Sequence, residues 1–204
     1  MIKRKVGRPR GDTRERLVTG AFEALRTRGY AGSSSRAIGQ IAGVNPALVF
    51  YYFESVDDLL ATALAESSAE RLVRYREAVE GARSLSDLLA TLATIYGDDV
   101  ASGHIAVVSE LVAASVSKPE LALRVTALMQ PWVELAEGAV ESVLAGSPLR
   151  DVASPRVIAL AGVVFYLGAN LLTHLQSVEE VDALFEESAR LAPLLDSLVQ
   201  PGAA

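Results

Sequence analysis

The sequence predicts an all-α protein of about nine helices, divided into a small N-terminal three-helix module and a larger helical body. Three observations carry that prediction. Apolar residues recur at steps of three and four along most of the 204 residues. No stretch alternates apolar and polar as a half-buried strand would. Capping residues and glycine or proline stops separate one apolar stripe from the next.

Asp12, with Glu15 three residues on, reads as a capping box opening the first helix. Leu17, Val18, Ala21, Phe22 and Leu25 form its stripe, and Gly29 suits the left-handed stop. Ser33 or Ser34 caps the second helix, whose buried face is Ala37, Ile38 and Ile41, and Gly43 permits a tight turn. Asn45 before Pro46 starts the third: a capping side chain, then a residue lacking the donor that would be orphaned. Ser55 with Asp58 caps the fourth, which begins Leu59, Leu60, Ala63, Leu64.

The third helix, PALVFYY, is about two turns long, uncharged and aromatic. A helix that short cannot bury Leu48, Val49, Phe50, Tyr51, Tyr52 and Phe53 together, so some face outward. Val49 and Phe53 are the inward choices. Two short helices joined by a glycine turn can place one of them in a DNA groove, and exposed aromatics suit thymine methyls and the sugar–phosphate chain.

Charge supports that reading. The formal net charge is −6, but residues 1–60 carry ten Lys/Arg against six Asp/Glu, and residues 61–204 carry nine against nineteen. A cationic module on an acidic body fits nucleic-acid binding at one end. The basic stretch Lys3–Arg10 adds an arm that can hold phosphates. Half the chain is hydrophobic and 22% is charged, as in a globular protein. The chain has no cysteine, which excludes a disulfide framework, a thiol nucleophile and zinc ribbons. The N-terminus shows no apolar h-region, so no signal peptide is expected and a cytoplasmic location is.

From Thr13 to about Leu64 the chain resembles the DNA-binding domain of the tetracycline-repressor-like (TetR) family of transcriptional regulators. The stretch AFEALRTRGYAGSSSRAIGQIAGVNPALVFYYFESVDDLL carries the likeness, with Gly29-Tyr30, Ser34, Ile38, Ala42-Gly43-Val44, Tyr52-Phe53 and Leu59 in order and without a gap. The resemblance implies that Asn45, Pro46, Ala47 and Leu48 open a recognition helix entering the major groove. It implies that Arg36 reaches a base or phosphate, that Ser34 caps a helix against a phosphate, and that Tyr51 and Tyr52 pack on backbone and bases. Two positions depart: Phe50 stands where the family usually has a tyrosine, and Val56 where a lysine is common. Glu54 adds a negative charge beside them. The module is therefore poor in phosphate ligands, and the arm is expected to compensate. Arg8 and Arg10 lie in Gly7-Arg8-Pro9-Arg10-Gly11, which resembles an AT-hook core, extended for a minor groove.

The expected domains are an arm (1–11), a helix-turn-helix domain (12–55) and an effector-binding and dimerisation domain (56–204). Helix 4 runs to about Glu80, helix 5 covers Leu85 to about Asp98, and helix 6 runs from His104 to Ser117. Helix 7 opens at Pro119, and Pro131 inside it should kink it. Helix 8, Val157–Val178, contains no Asp, Glu, Lys or Arg, long enough to resemble a membrane span. Its Asn170, Thr173, His174 and Gln176, and its lack of aromatic belts or basic clusters, favour a helix buried by its own core and a second subunit. Helix 9 runs about Glu179–Val199. In the resembled family the last two long helices form the dimer interface, which implies a homodimer through about 156–199, reading a palindromic double-stranded operator with two heads. No membrane partner is expected.

A cavity among helices 4 to 8, left by the kink at Pro131, is the expected effector site. Its candidate lining residues are Tyr96, His104, Met129, Trp132, Phe165, Tyr166, Asn170 and His174, a mostly apolar set suited to a small hydrophobic effector. Two histidines seventy residues apart, with no phosphate loop or metal-spaced cluster, leave no catalytic constellation, metal site or cofactor site. Asp98-Asp99, Glu179-Glu180 and Glu186-Glu187 read as solvated. The sequence thus predicts a DNA-binding regulator, with repression as the family default. The alternative is a helical protein–protein adaptor with a degenerate helix-turn-helix.

Overall fold

The computed structural model describes residues 10–175 and 178–199. Among them are nine α-helices and no strand. They are α1 (Arg10–Arg28), α2 (Ser35–Ala42), α3 (Val49–Tyr52), α4 (Val56–Glu80) and α5 (Leu85–Ser102). After them come α6 (His104–Ser115), α7 (Pro119–Val143), α8 (Pro155–Leu175) and α9 (Val178–Val199). Short 3₁₀ turns precede α3 (Pro46–Leu48) and lie between α7 and α8 (Pro148–Asp151).

The chain forms two compact units: residues 1–67 with 106–125, and residues 68–105 with 126–204. In the first unit Leu17, Ala21, Ala24 and Leu25 of α1 are buried with Ile38, Val49, Leu59, Leu60 and Leu64. Gly29 takes φ 66°, stopping α1 as expected. The start of α4 is a reciprocal cap: the Asp58 amide donates to Ser55 Oγ at 3.0 Å, and the Glu54 amide donates to Asp58 Oδ2 at 3.0 Å. In one respect the first helix differs from expectation. It is already helical at Arg10, so Arg10 and Gly11 belong to α1 and not to an extended arm. The helix can extend back because neither residue is a proline and Asp12 still falls in the first turn, where its charge meets the helix dipole.

In the second unit, α5 packs on α9. One buried cluster is Val140, Val143, Leu144 and Val199, with Leu85, Leu88, Leu149 and Ile158 against it. Asp196 of α9 accepts from the Leu85 amide at 2.7 Å and the Ser86 amide at 3.2 Å, satisfying donors that the first turn of α5 leaves unpaired. Pro131 and Pro193 lie inside α7 and α9. Helix α8 is the surprise. Its segment Pro155–Thr173 has mean hydropathy 1.6 and is long and apolar enough to cross a membrane, yet only 17% of that segment is buried by the chain itself. The chain's own core covers one side, burying Ala159, Ala169 and Asn170, and leaves the other side bare. Val157, Val164 and Leu171 of α8 and Leu191, Leu194 and Leu195 of α9 are exposed.

Candidate nucleic-acid interface

Helix α2 is fixed at both ends by local chemistry. Ser34, extended at φ −75° and ψ 159°, accepts from the Ala37 amide at 3.2 Å. Gly43 closes it at φ 63°, which costs a residue with a Cβ roughly 1–2 kcal/mol. Arg16 of α1 donates to the Gly43 carbonyl at 2.8 Å and also to the Ala42 carbonyl, placing a cation at the negative end of α2. Nothing in the local pattern marked Arg16 for that task, because its partners lie 26 and 27 residues away. The two helices approach closely at Gly20, where a Cβ would sit 2.9 Å from the Ala42 side chain.

Beyond the turn, Asn45 Oδ1 accepts from the Ala47 amide at 2.9 Å, as the Asn-Pro start predicts. The reading segment is not a uniform two-turn α-helix. It is a 3₁₀ turn over Pro46–Leu48 followed by the single turn Val49–Tyr52. The Leu48 amide reaches Asn45 O at 3.0 Å, so the chain winds tightly before it relaxes to α. Val49 is fully buried and Phe53 nearly so, the two inward residues expected. Phe50 is 62% exposed and Tyr51 60% exposed. Arg36, Ser34, Asn45 and Ala47 are exposed as well, while Pro46, Leu48 and Tyr52 are half-buried. Tyr52 meets the Tyr51 ring edge-on at 4.9 Å. Ile41, expected inside, is 37% exposed at the rim of the α2 face. None of the predicted residues from Ser34 to Tyr52 is buried. Arg10 is helical, and Arg8 lies outside the described residues.

The second unit gathers part of the expected effector set around charges that sequence reading placed in solvent. Asp99 is buried and pairs with Arg71 of α4, itself buried. Arg71 also donates to Ser102 Oγ at 2.7 Å, and Tyr166 donates to the second oxygen of Asp99. Tyr75 Oη lies 3.4 Å from Asp99, and its ring is 6.4 Å from Trp132. Burial holds the Asp99 carboxyl above the usual carboxylate range despite Tyr166 and Arg71. Burial, with Asp99 adding to it, pushes the Tyr166 phenol upward. His104 opens α6 fully enclosed; burial first, and then the Arg71 charge, push it down to about 3, so it is neutral at physiological pH. The Arg71 Nε is buried without a hydrogen-bond partner.

Tyr96 meets Tyr166 edge-on at 5.7 Å and lies 4.9 Å from Phe185, which Phe165 approaches at 5.1 Å. The Tyr96 and Thr173 hydroxyls are 2.8 Å apart. Asn170 is buried and Met129 half-buried; the His174 side chain lies outside the described residues. A cavity of about 340 Å³ opens beside Pro131, between α4 and α7. Arg76, Glu80, Pro131, Glu134, Leu135, Gly138, Ala139 and Ser142 line it, and none of the eight candidates does. Helical spacing placed those residues on apolar stripes; it could not say which stripes a cavity separates. Arg71, Tyr75, Asp99, Thr173 and Phe185 were missed. Their only signal was Arg71, one helical turn before Tyr75 and so on the same helix face.

A capped helix, a glycine turn and a second short helix with an exposed polar and aromatic face define a helix-turn-helix protein. The family model of bacterial regulatory proteins of the tetR family matches residues 17–63, the same module. Over that module the chain is similar to the tetR family. It is 24% identical over 110 residues to the HTH-type transcriptional regulator UidR of Escherichia coli strain K12, covering 54% of this chain and 55% of UidR. The chain thus spans about half the length of that relative. Its fold is that of the transcriptional regulator FadR from Bacillus subtilis in complex with stearoyl-CoA, with TM-score 0.70 at 16% identity over 87% of this chain and 96% of FadR. A TetR-family member from Streptomyces coelicolor superposes with TM-score 0.63 at 23% identity, over 91% of this chain and 99% of that one.

Proposed function

We propose that this protein is a sequence-specific transcriptional repressor that binds a palindromic operator as a homodimer and is released by a small, mainly apolar effector. The observation that carries the reading is the exposed face from Ser34 to Tyr52. Phe50 and Tyr51 stand out of the surface while their neighbours Val49 and Phe53 anchor the same turn in the core. Burying large aromatics is worth ~1.5–3 kcal/mol each, so two that stay more than half exposed support a surface kept for a partner. Arg36, Asn45, Pro46, Ala47 and Leu48 supply polar and apolar contacts to base edges, Ser34 an amide cap for a phosphate, and Tyr51 and Tyr52 packing against the backbone.

The bare face of α8 and α9 supports the second half of the reading. A second copy covering Val157, Val164, Leu171, Leu191, Leu194 and Leu195 makes a self-complementary apolar interface and sets the spacing of two heads. In functional terms residues 12–55 read DNA, and residues 56–204 pair the subunits and take the effector. Tyr96, Tyr166, Phe165 and Trp132 supply aromatic wall to an apolar molecule; His104, Asn170, Met129 and His174 belong to the same set. FadR holding stearoyl-CoA in the same fold supports an effector with a large apolar part. Helix α4 runs unbroken from Val56 to Glu80, so displacement of its far end moves the head off its half-site.

A mobility shift with duplex from upstream of the protein's own coding sequence, at low and moderate salt, tests the reading alongside light scattering. A specific shift by a particle of twice the chain mass is expected. A monomer that ignores DNA, or a protein that captures only another protein, overturns it.

A further inference from the structure

From Ala37 to Glu70 the chain contains no lysine or arginine, yet Glu54, Asp57 and Asp58 stand directly after the reading segment. Glu54 is three residues past Tyr51, so their Cα atoms are at most ~10 Å apart. That is about one Debye length at 0.1 M salt, within which an uncompensated carboxylate repels any phosphate lying against Tyr51. The first unit cancels these acids with cations from far along the chain. Lys118, just before α7, donates to Asp57 Oδ2 at 2.8 Å and to the Tyr30 hydroxyl, and lies 4.9 Å from the Tyr30 ring centre. Tyr30 in turn donates to the other Asp57 oxygen. Arg124 of α7 donates to Asp58 Oδ1 and lies 3.5 Å from Glu54 Oε2. Glu110 of α6 accepts from the Tyr30 amide at 2.6 Å, tying the same corner to the end of α1. Burial raises the Asp57 carboxyl, but hydrogen bonds from Lys118 and Tyr30 outweigh it and hold Asp57 below the usual range. It is therefore ionised and needs its cation at any pH where the protein would meet DNA.

We propose that Lys118 and Arg124 are positioning residues of the DNA-reading head, neutralising the acidic exit Glu54–Asp58 so that phosphates can approach Tyr51 and Tyr52. The inference rests on the DNA-binding reading above and adds two residues from outside the helix-turn-helix to it. It explains how a head without a cation of its own after Arg36 tolerates three carboxylates at its edge. The function of the two pairs is electrostatic. As holders of the fold alone, exposed pairs of this kind contribute only ~0–1 kcal/mol.

The experiment uses the full chain, the upstream duplex and four variants: Lys118→Gln, Arg124→Gln, and each combined with its isosteric neutral acid, Lys118→Gln/Asp57→Asn and Arg124→Gln/Asp58→Asn. Affinity is measured at about 50 mM and about 500 mM salt, with melting temperature as the folding control. Each single variant should bind about fivefold more weakly at the lower salt, the deficit shrinking at the higher, and each double variant should recover to within about twofold of wild type. Singles that bind like wild type overturn the proposal. So do doubles as weak as their singles, or a deficit indifferent to salt, since both mark pairs that merely brace the structure. A wild-type protein that shifts no DNA overturns the functional reading itself, which separates the two failures.

Discussion

The reading segment and the polar core of the second unit use their polar groups in opposite ways. In the reading segment Ser34 and Asn45 each hold an amide two or three residues away, and Arg36, Phe50 and Tyr51 are left exposed. In the second unit Arg71 finds Asp99 28 residues on and Asp99 finds Tyr166 another 67 on, all inside. The first arrangement is cheap to form and exposes chemistry to a partner. The second takes two charges out of water and offsets that through their mutual pairing, so losing one member costs more than the pair contributes.

The largest expected effect follows from that asymmetry. Arg71→Met leaves Asp99 buried without its cation, and should lower the unfolding free energy in urea by about 3–5 kcal/mol. The double change Arg71→Met/Asp99→Leu should recover most of it. A double variant no better than the single would mean that the aromatic wall, and not the charge, pays the cost.

Acid should strike the same core next. His104 is held down to about 3 in the fold, against about 6.5 when free. The unfolded chain therefore takes the proton first. The stability His104 contributes is complete above about pH 6.5 and is lost as pH falls toward about 3, by up to ~1.4 kcal/mol per pH unit. Asp99, held above its free value, binds a proton earlier in the fold and offsets part of the loss. His104→Gln should flatten the stability profile between pH 6 and pH 4, read by urea titration at each pH; an unchanged slope would place the acid sensitivity elsewhere.

In the reading segment, Asn45→Ala removes one cap and should cost about 1 kcal/mol of stability, with a proportionate drop in protection of the Ala47 amide from hydrogen exchange. A loss as large as that of Arg71→Met would erase the contrast between the regions. The smallest effect belongs to Arg190→Ala, which breaks exposed pairs with Glu186 and Glu187 on α9 and should move stability by no more than about 0.5 kcal/mol. A larger change there would mean that this face is not free in solution.

Legibility followed the same divide. Ser34, Gly43, Asn45-Pro46 and Ser55 with Asp58 announce their structure because cap, turn and target lie within one helical turn. The helix limits from α4 to α9 follow from Pro119 and from the pause at Gly81–Ser84 for the same reason. The 3₁₀ opening of the reading segment was not legible, since an Asn-Pro start serves either helix type. Asp99 was misread because an acidic pair at the end of a helix is usually solvated, and only packing against α4 and α8 removes it from water.

The order of the chain by itself determined the helical class, the helix-turn-helix and which residues of α3 anchor it, because caps, glycine stops and 3.6-residue periodicity are short-range and act wherever the segment sits. Tertiary structure alone decided that Arg16 closes α2, that Lys118 and Arg124 answer the acids of residues 54–58, that Asp99 is interior, and that α8 keeps a bare apolar face. Each of those depends on which distant surfaces meet, and a charge or an apolar stripe carries no record in its own neighbourhood of what will cover it.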